Sequence, residues 1–334
     1  MKAMQVNEAG GNFQLVEKDI PKPASNQVRI KVSACGICHS DAFVKEGTFP
    51  GVEYPRVPGH EVIGTVDEVG DGVTKWKKGQ RVGVGWHGGH CFTCEACRAG
   101  DFIMCENAQI CGISYDGGYA EYMVAPQEAV AFVPEDLDDV KAAPLLCAGI
   151  TTYNALRNTP ARPGDLVAIQ GIGGLGHLGV QYAHHMGFKT VAISRGKDKK
   201  ELALQLGADV FIDAEAEDVA EVLQEHGGAK VILATAPSSK AIQSVIDGLG
   251  VDGQLLVVAA TPDEFSVSPF QLLMKRAAIK GWPSGWAKDS EDTLQFSALA
   301  DIAPAVETYP LEKANEAYDR MINNEARFRV VLTT

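Results

Sequence analysis

At 334 residues, with 46% hydrophobic side chains, the chain is long enough for two domains with sizeable cores. Its 43 acidic residues outnumber 30 basic ones, and the net charge of -13 excludes nucleic acid and anionic membrane surfaces as expected partners, since both reward a basic face. The first residues, MKAMQVNEAGGNFQL, lack the apolar run of a signal peptide, and no stretch approaches the roughly 18 apolar residues of a membrane span, so the expected location is cytoplasmic.

In chain order, the segments QVRIKVSACG, EVIGTVDEVG and RVGVGW are short β-branched runs broken by Gly and Pro. They predict a strand-rich, partly barrel-like first domain. Within it lie CGICHSD, from Cys35 to Asp41, and PGHE, from Pro58 to Glu61. Cys35 and Cys38 have redox-dithiol spacing, but a thiolate, an imidazole and a carboxylate recurring within about 25 residues suit a metal better. The segment CFTCEACRAGDFIMC follows, with Cys91, Cys94, Cys97 and Cys105. Disulfides and redox pairs are conceivable for these four; in a reducing cytosol a tetrahedral zinc-thiolate site is the better reading.

From about residue 150 the texture changes to alternating strands and helices: DLVAIQ, GHLGVQYAHHMG, KTVAIS, KKELALQLGA, DVFID, KVILATA and GQLLVVAAT. This predicts a doubly wound parallel sheet. The first strand runs into GIGGLG, with Gly171, Gly173, Gly174 and Gly176. Strand before and helix after make it a dinucleotide fingerprint: Gly171 turns the chain, Gly173 lets the backbone approach a pyrophosphate, and Gly176 permits close helix packing. At the end of the second strand, where an NAD enzyme of this fold carries Asp or Glu, stands Ser194, followed by Arg195 and then Lys199. A hydroxyl and two cations favour NADP(H) over NAD(H); the competing reading is a solvated basic run that tolerates both cofactors. The last segment, EARFRVVLTT, ends in a strand that need not belong to the second domain.

Taken in order, Cys38-His39-Ser40-Asp41, Gly59-His60-Glu61, the four-cysteine segment, GGYAEY, CAGITTY and GIGGLG resemble the zinc-dependent medium-chain alcohol dehydrogenases over essentially the whole chain. The bacterial and cinnamyl alcohol dehydrogenase-like subgroups are nearest. The resemblance implies an α/β architecture: a GroES-like catalytic domain from residues 1–149 and 285–334, with a Rossmann domain from 150–284 between. It implies two zinc ions per chain. One is structural, on Cys91, Cys94, Cys97 and Cys105; the other is catalytic, on Cys38, His60 and Cys147, with Glu61 nearby and Asp41 orienting His60. By the same matching, Ser40 passes on the alcohol's proton, His39 contacts the pyrophosphate, Thr151 packs by the nicotinamide, and Phe49 and Trp86 line the substrate cleft. The implied reaction is reversible hydride transfer between an alcohol and an aldehyde or ketone, with zinc as Lewis acid, in a homodimer or homotetramer.

Two departures stand out. Phe43 occupies the place where many relatives end the proton relay with a histidine, and Ala287, beside Lys288, stands where relatives often carry an arginine for the cofactor. Trp282 and Trp286 are further candidates for the cleft. Alternatives on the same scaffold are polyol, threonine and formaldehyde dehydrogenases. From another class come a zinc-free quinone reductase-like protein and a nucleotide-binding protein without activity, both disfavoured by Cys38, His60 and Cys147.

Overall fold

The computed structural model describes all 334 residues, Met1–Thr334. They divide into two compact units, one formed by Met1–Ile150 with Gly285–Thr334 and the other by Thr151–Ser284. In the first unit the main strands are β1 (Gln27–Ile37), β2 (Val62–Val69), β3 (Arg81–Val84), β4 (Tyr122–Pro126) and β5 (Val130–Phe132). The second holds β6 (Leu166–Gln170), β7 (Lys189–Ser194), β8 (Val210–Asp213), β9 (Ala229–Ala234), β10 (Leu249–Val257) and β11 (Ala278–Gly281). The chain then returns to the first unit with β12 (Val306–Pro310) and β13 (Arg329–Thr333).

The first unit is built on a seven-stranded sheet ordered β12-β13-β1-β2-β3-β5, with β4 also pairing β1. Along β1, Val28, Ile30 and Val32 point to the core while Arg29 and Lys31 point away, the period-2 pattern of a half-buried antiparallel strand. That alternation stops at Ala34–Ile37, where every residue is buried. The core gathers Val28, Ile30, Val62, Val82, Met123 and Leu332. Two antiparallel registers matter most for function, because Cys35 pairs with Val62 and Ile37 pairs with Val330. The end of β1, the start of β2 and the start of β13 therefore meet at one end of the sheet's strands.

The second unit is a six-stranded, wholly parallel sheet ordered β8-β7-β6-β9-β10-β11. Its central strand LVAIQ is buried at all five positions, as expected when both faces of a parallel sheet are covered. Strand order reverses between β6 and β9, which is the switch point where ligands of such sheets bind.

Candidate functional site

The sheet registers build the first cluster. Cys38 follows β1 directly, and His60 and Glu61 immediately precede β2, so the Cys35–Val62 pairing brings them face to face. Cys38 Sγ lies 3.2 Å from His60 Nε2 and 3.8 Å from Cys147 Sγ. Cys147 ends the short turn Ala143–Leu146, which packs tightly on β3: a Cβ at Gly83 would stand 2.7 Å from Leu146 Cδ1. With Glu61, these residues place one ligand atom each within 4.8 Å of one another. Two thiols and an imidazole at such spacing are the donor set of a tetrahedral zinc site with a position to spare.

Partners hold this cluster in place. Asp41 Oδ1 lies 3.3 Å from His60 Nδ1, leaving Nε2 to face Cys38. Its Oδ2 accepts hydrogen bonds from the Cys38 N–H at 2.9 Å and from the Tyr119 hydroxyl at 2.9 Å. Burial, and then Asp41, push the Tyr119 hydroxyl well above the ordinary tyrosine range, so it stays a donor. The Ser40 N–H donates to Cys38 Sγ at 3.2 Å. Cys147 donates to Cys38 and, with His60, holds that thiol well below its ordinary range. Burial alone would lower the His60 pKa, but Cys38 and Asp41 override it and raise it. Glu61 is fully buried; burial lifts its carboxyl to about 7 against the opposing pull of Arg329, which pairs with it and also donates to the Ile37 carbonyl. The second Glu61 oxygen has no partner.

Neither Arg329 nor Tyr119 emerges from the sequence reading. The available signal is indirect: a carboxylate next to a predicted metal ligand needs a cation, and EARFRVV offers one in an otherwise apolar strand.

One aromatic ring packs on His60, and two more pack on that ring. Trp86 is edge-on to the imidazole at 5.1 Å, Phe49 lies 6.2 Å from Trp86, and Phe43 lies 5.7 Å from Phe49 and 6.4 Å from Trp86. Trp286 does not join them, contrary to its candidacy for the cleft. It packs tilted against Phe102 on the four-cysteine lobe, with ring centroids 4.6 Å apart, because it caps the helix Ala287–Leu299 and that helix begins beside the lobe. Lys288 pairs with Asp292 and Glu291 on its own helix.

In the lobe, Cys91, Cys94, Cys97 and Cys105 bring four sulfurs within 4.8 Å of one another. The separations are 3.6 Å for Cys91–Cys105 and 3.9 Å for Cys94–Cys105, and all eight cysteines of the chain are free thiols. Thiolates about 2.3 Å from a tetrahedral zinc stand roughly 3.8 Å apart, so these residues fit that ion. Hydrogen bonds from Thr93, Cys94 and Asn107 pull the Cys91 thiol down to about 5.

The second unit carries the dinucleotide turn. Gly171 has φ +93°, and a Cβ at Gly176 would lie 1.7 Å from the Gly171 carbonyl, so the helix Gly176–His185 can start there only with glycine. Around Gly173 a Cβ would meet nothing within 4 Å, leaving room for a phosphate. Ser194 is buried at the end of β7, whereas Arg195 is exposed. Lys199 Nζ donates to the Ile172 carbonyl at 2.8 Å and so ties its segment to the glycine turn. Asp213, which the sequence reading passes over, accepts from the Gly196 N–H at 2.8 Å and shapes the turn after Ser194. Thr151, the first residue of this unit, is buried; His39, in the first unit, is exposed.

Residues 24–135 match the family described as the alcohol dehydrogenase GroES-like domain, and residues 174–298 match the zinc-binding dehydrogenase family. The alcohol dehydrogenase patD of Penicillium expansum is 46% identical over 326 residues, covering 98% of this chain and 95% of its own. A cinnamyl alcohol dehydrogenase of Sorghum bicolor superposes with a TM-score of 0.90 at 31% identity, over 99% of this chain and 97% of its own. A second such structure, the Helicobacter pylori enzyme complexed with NADP(H), gives 0.88 at 28% identity, over 99% and 97%. The chain belongs to the zinc-type medium-chain alcohol dehydrogenases, and it is an oxidoreductase with the GroES-like and Rossmann-type domains of that family.

Proposed function

We propose that this enzyme interconverts alcohols with aldehydes or ketones through a zinc held by Cys38, His60 and Cys147, using NADP(H) in preference to NAD(H). The observation that carries this reading is the convergence of those three donors and Glu61 within 4.8 Å, in a chain of this family. Zinc bound there supplies Lewis acidity to the alcohol or carbonyl oxygen, and the nicotinamide carries the hydride. The chain's residues do the rest. Two thiolates balance the ion's charge, and Asp41 fixes the imidazole through Nδ1. Ser40 takes the substrate's proton onward, and Phe43 offers no titratable group to continue a relay at that position. Phe43, Phe49 and Trp86 exclude water beside His60 and select apolar substrates. Cys91, Cys94, Cys97 and Cys105 hold a second, structural zinc.

Gly171, Gly173, Gly174 and Gly176 receive the pyrophosphate; Thr151 packs by the nicotinamide. Ser194 and Arg195 receive the 2'-phosphate, supported by Lys199 on the same segment. Arg195 is exposed and its guanidinium is free for an anion, and β7 ends without a carboxylate of its own. The Helicobacter pylori relative was crystallised with NADP(H). A homodimer or homotetramer fits the apolar side chains that stand out on the second unit near edge strand β11: Val251, Phe270, Leu273 and Met274.

Following oxidation of NADPH and NADH by absorbance, against acetaldehyde, hexanal and benzaldehyde, tests the reading. Each buried methylene is worth about 0.8 kcal/mol, so hexanal and benzaldehyde should show the higher specificity constants, and NADPH should exceed NADH. Turnover with none of them, in zinc-loaded protein, would refute it.

A further inference from the structure

Behind His60 the Asp41 carboxylate is held by a residue from a distant part of the chain, Tyr119, in the segment GGYAEY. Both side chains are buried. Asp41 Oδ2 accepts two hydrogen bonds of 2.9 Å, from the Cys38 N–H and the Tyr119 hydroxyl, and this turns Oδ1 toward His60 Nδ1. A carboxylate with only the backbone donor could pivot about it; the second donor removes that freedom.

The same segment also braces the loop that carries His60. The Gly118 N–H donates to the Gly59 carbonyl at 3.0 Å, and the Tyr119 N–H donates to the Pro58 carbonyl at 3.0 Å. Gly59 has φ +104°, and a Cβ there would strike the Tyr119 ring at 2.5 Å. From the other side Phe13 packs edge-on against that ring, with centroids 5.7 Å apart. The ring is thus wedged, and its hydroxyl has a defined target.

We propose that Tyr119 is a positioning residue of the Cys38–His60–Cys147 centre, locking the rotation of Asp41 and through it the orientation of the His60 ring. This rests on the zinc reading above. A phenylalanine at 119 keeps the wedge and removes only the hydrogen bond, so it isolates the role.

The test is the rate at which zinc passes from Tyr119→Phe protein to a chromogenic chelator, with the four-cysteine zinc as internal reference. Loss of an outer partner of a metal-binding histidine typically costs 10- to 100-fold in affinity; for this more remote group we expect about tenfold faster release from the Cys38 centre and none from the lobe. In an Asp41→Ala background, which removes the acceptor altogether, the same substitution should add nothing, since the hydroxyl acts only through that carboxylate. Unchanged release, faster release of both ions, or an additive effect in the Asp41→Ala background would overturn the role of Tyr119 and leave the zinc reading standing. Unmodified protein that binds zinc only in the lobe would overturn both.

Discussion

A carboxylate buried as completely as Glu61 needs a fixed counter-charge, and Arg329 supplies it from 268 residues further along the chain. Removing one partner of a buried pair strands the other, at a cost of about 3–5 kcal/mol. Arg329→Met is therefore expected to lower the denaturant midpoint by that equivalent; an unchanged midpoint would show that the pair is not buried in solution. Arg195 is the opposite case, exposed and without a protein partner. Charge-assisted hydrogen bonds contribute roughly 1.5–3 kcal/mol, and 1.4 kcal/mol is tenfold, so Arg195→Ala should raise the NADPH Michaelis constant about tenfold or more and leave NADH nearly unaltered. Equal effects on both cofactors would place Arg195 away from the 2'-phosphate. The position of Arg195, directly after a Rossmann strand, was readable in the sequence because the end of such a strand is a fixed place. The partner of Arg329 was not, because a cation in an apolar strand signals that it needs a counter-charge without saying which of the chain's carboxylates supplies it.

The two cysteine-bearing elements differ in how they are made. The four-cysteine lobe draws all its sulfurs from residues 91–105, around the one-turn helix Glu95–Arg98. The Cys38 cluster sits on strand ends that the sheet already holds. Substitutions should separate the two. Cys94→Ala is expected to reduce thermal stability or yield, because structural zinc contributes folding free energy. Cys38→Ala should abolish turnover while the protein stays folded with about one zinc per chain. Elemental analysis with a thermal scan checks both, and one zinc in fully loaded unmodified protein would contradict the pair of sites. Spacing within fifteen residues made the lobe legible. By contrast, the grouping of Phe43 with Phe49 and Trp86 depends on where the short helix Asp41–Lys45 lies against the loop after β3, which spacing does not reveal.

For the molecule as a whole, no helix is long and apolar enough to cross a membrane. Yet Phe270, Leu273 and Met274 are each about two-thirds or more exposed, with Val251 close by on β10, next to the open edge of the parallel sheet. Apolar patches of this kind mark association surfaces. Leu273→Lys should shift the mass measured by light scattering toward the monomer; an unmodified protein already monomeric at micromolar concentration would refute association. The sequence by itself determined the fold class, the parallel sheet with its glycine turn, and the residue types able to hold metal. Each of these answers a local demand: hydrophobic period, positive φ at Gly171, thiols and imidazole at short spacing. Only the tertiary structure decided that Arg329 serves Glu61, that Tyr119 serves Asp41, and that Trp286 belongs to the lobe. Those partnerships follow from strand register and chain return, which join residues far apart in sequence and leave no periodic trace along it.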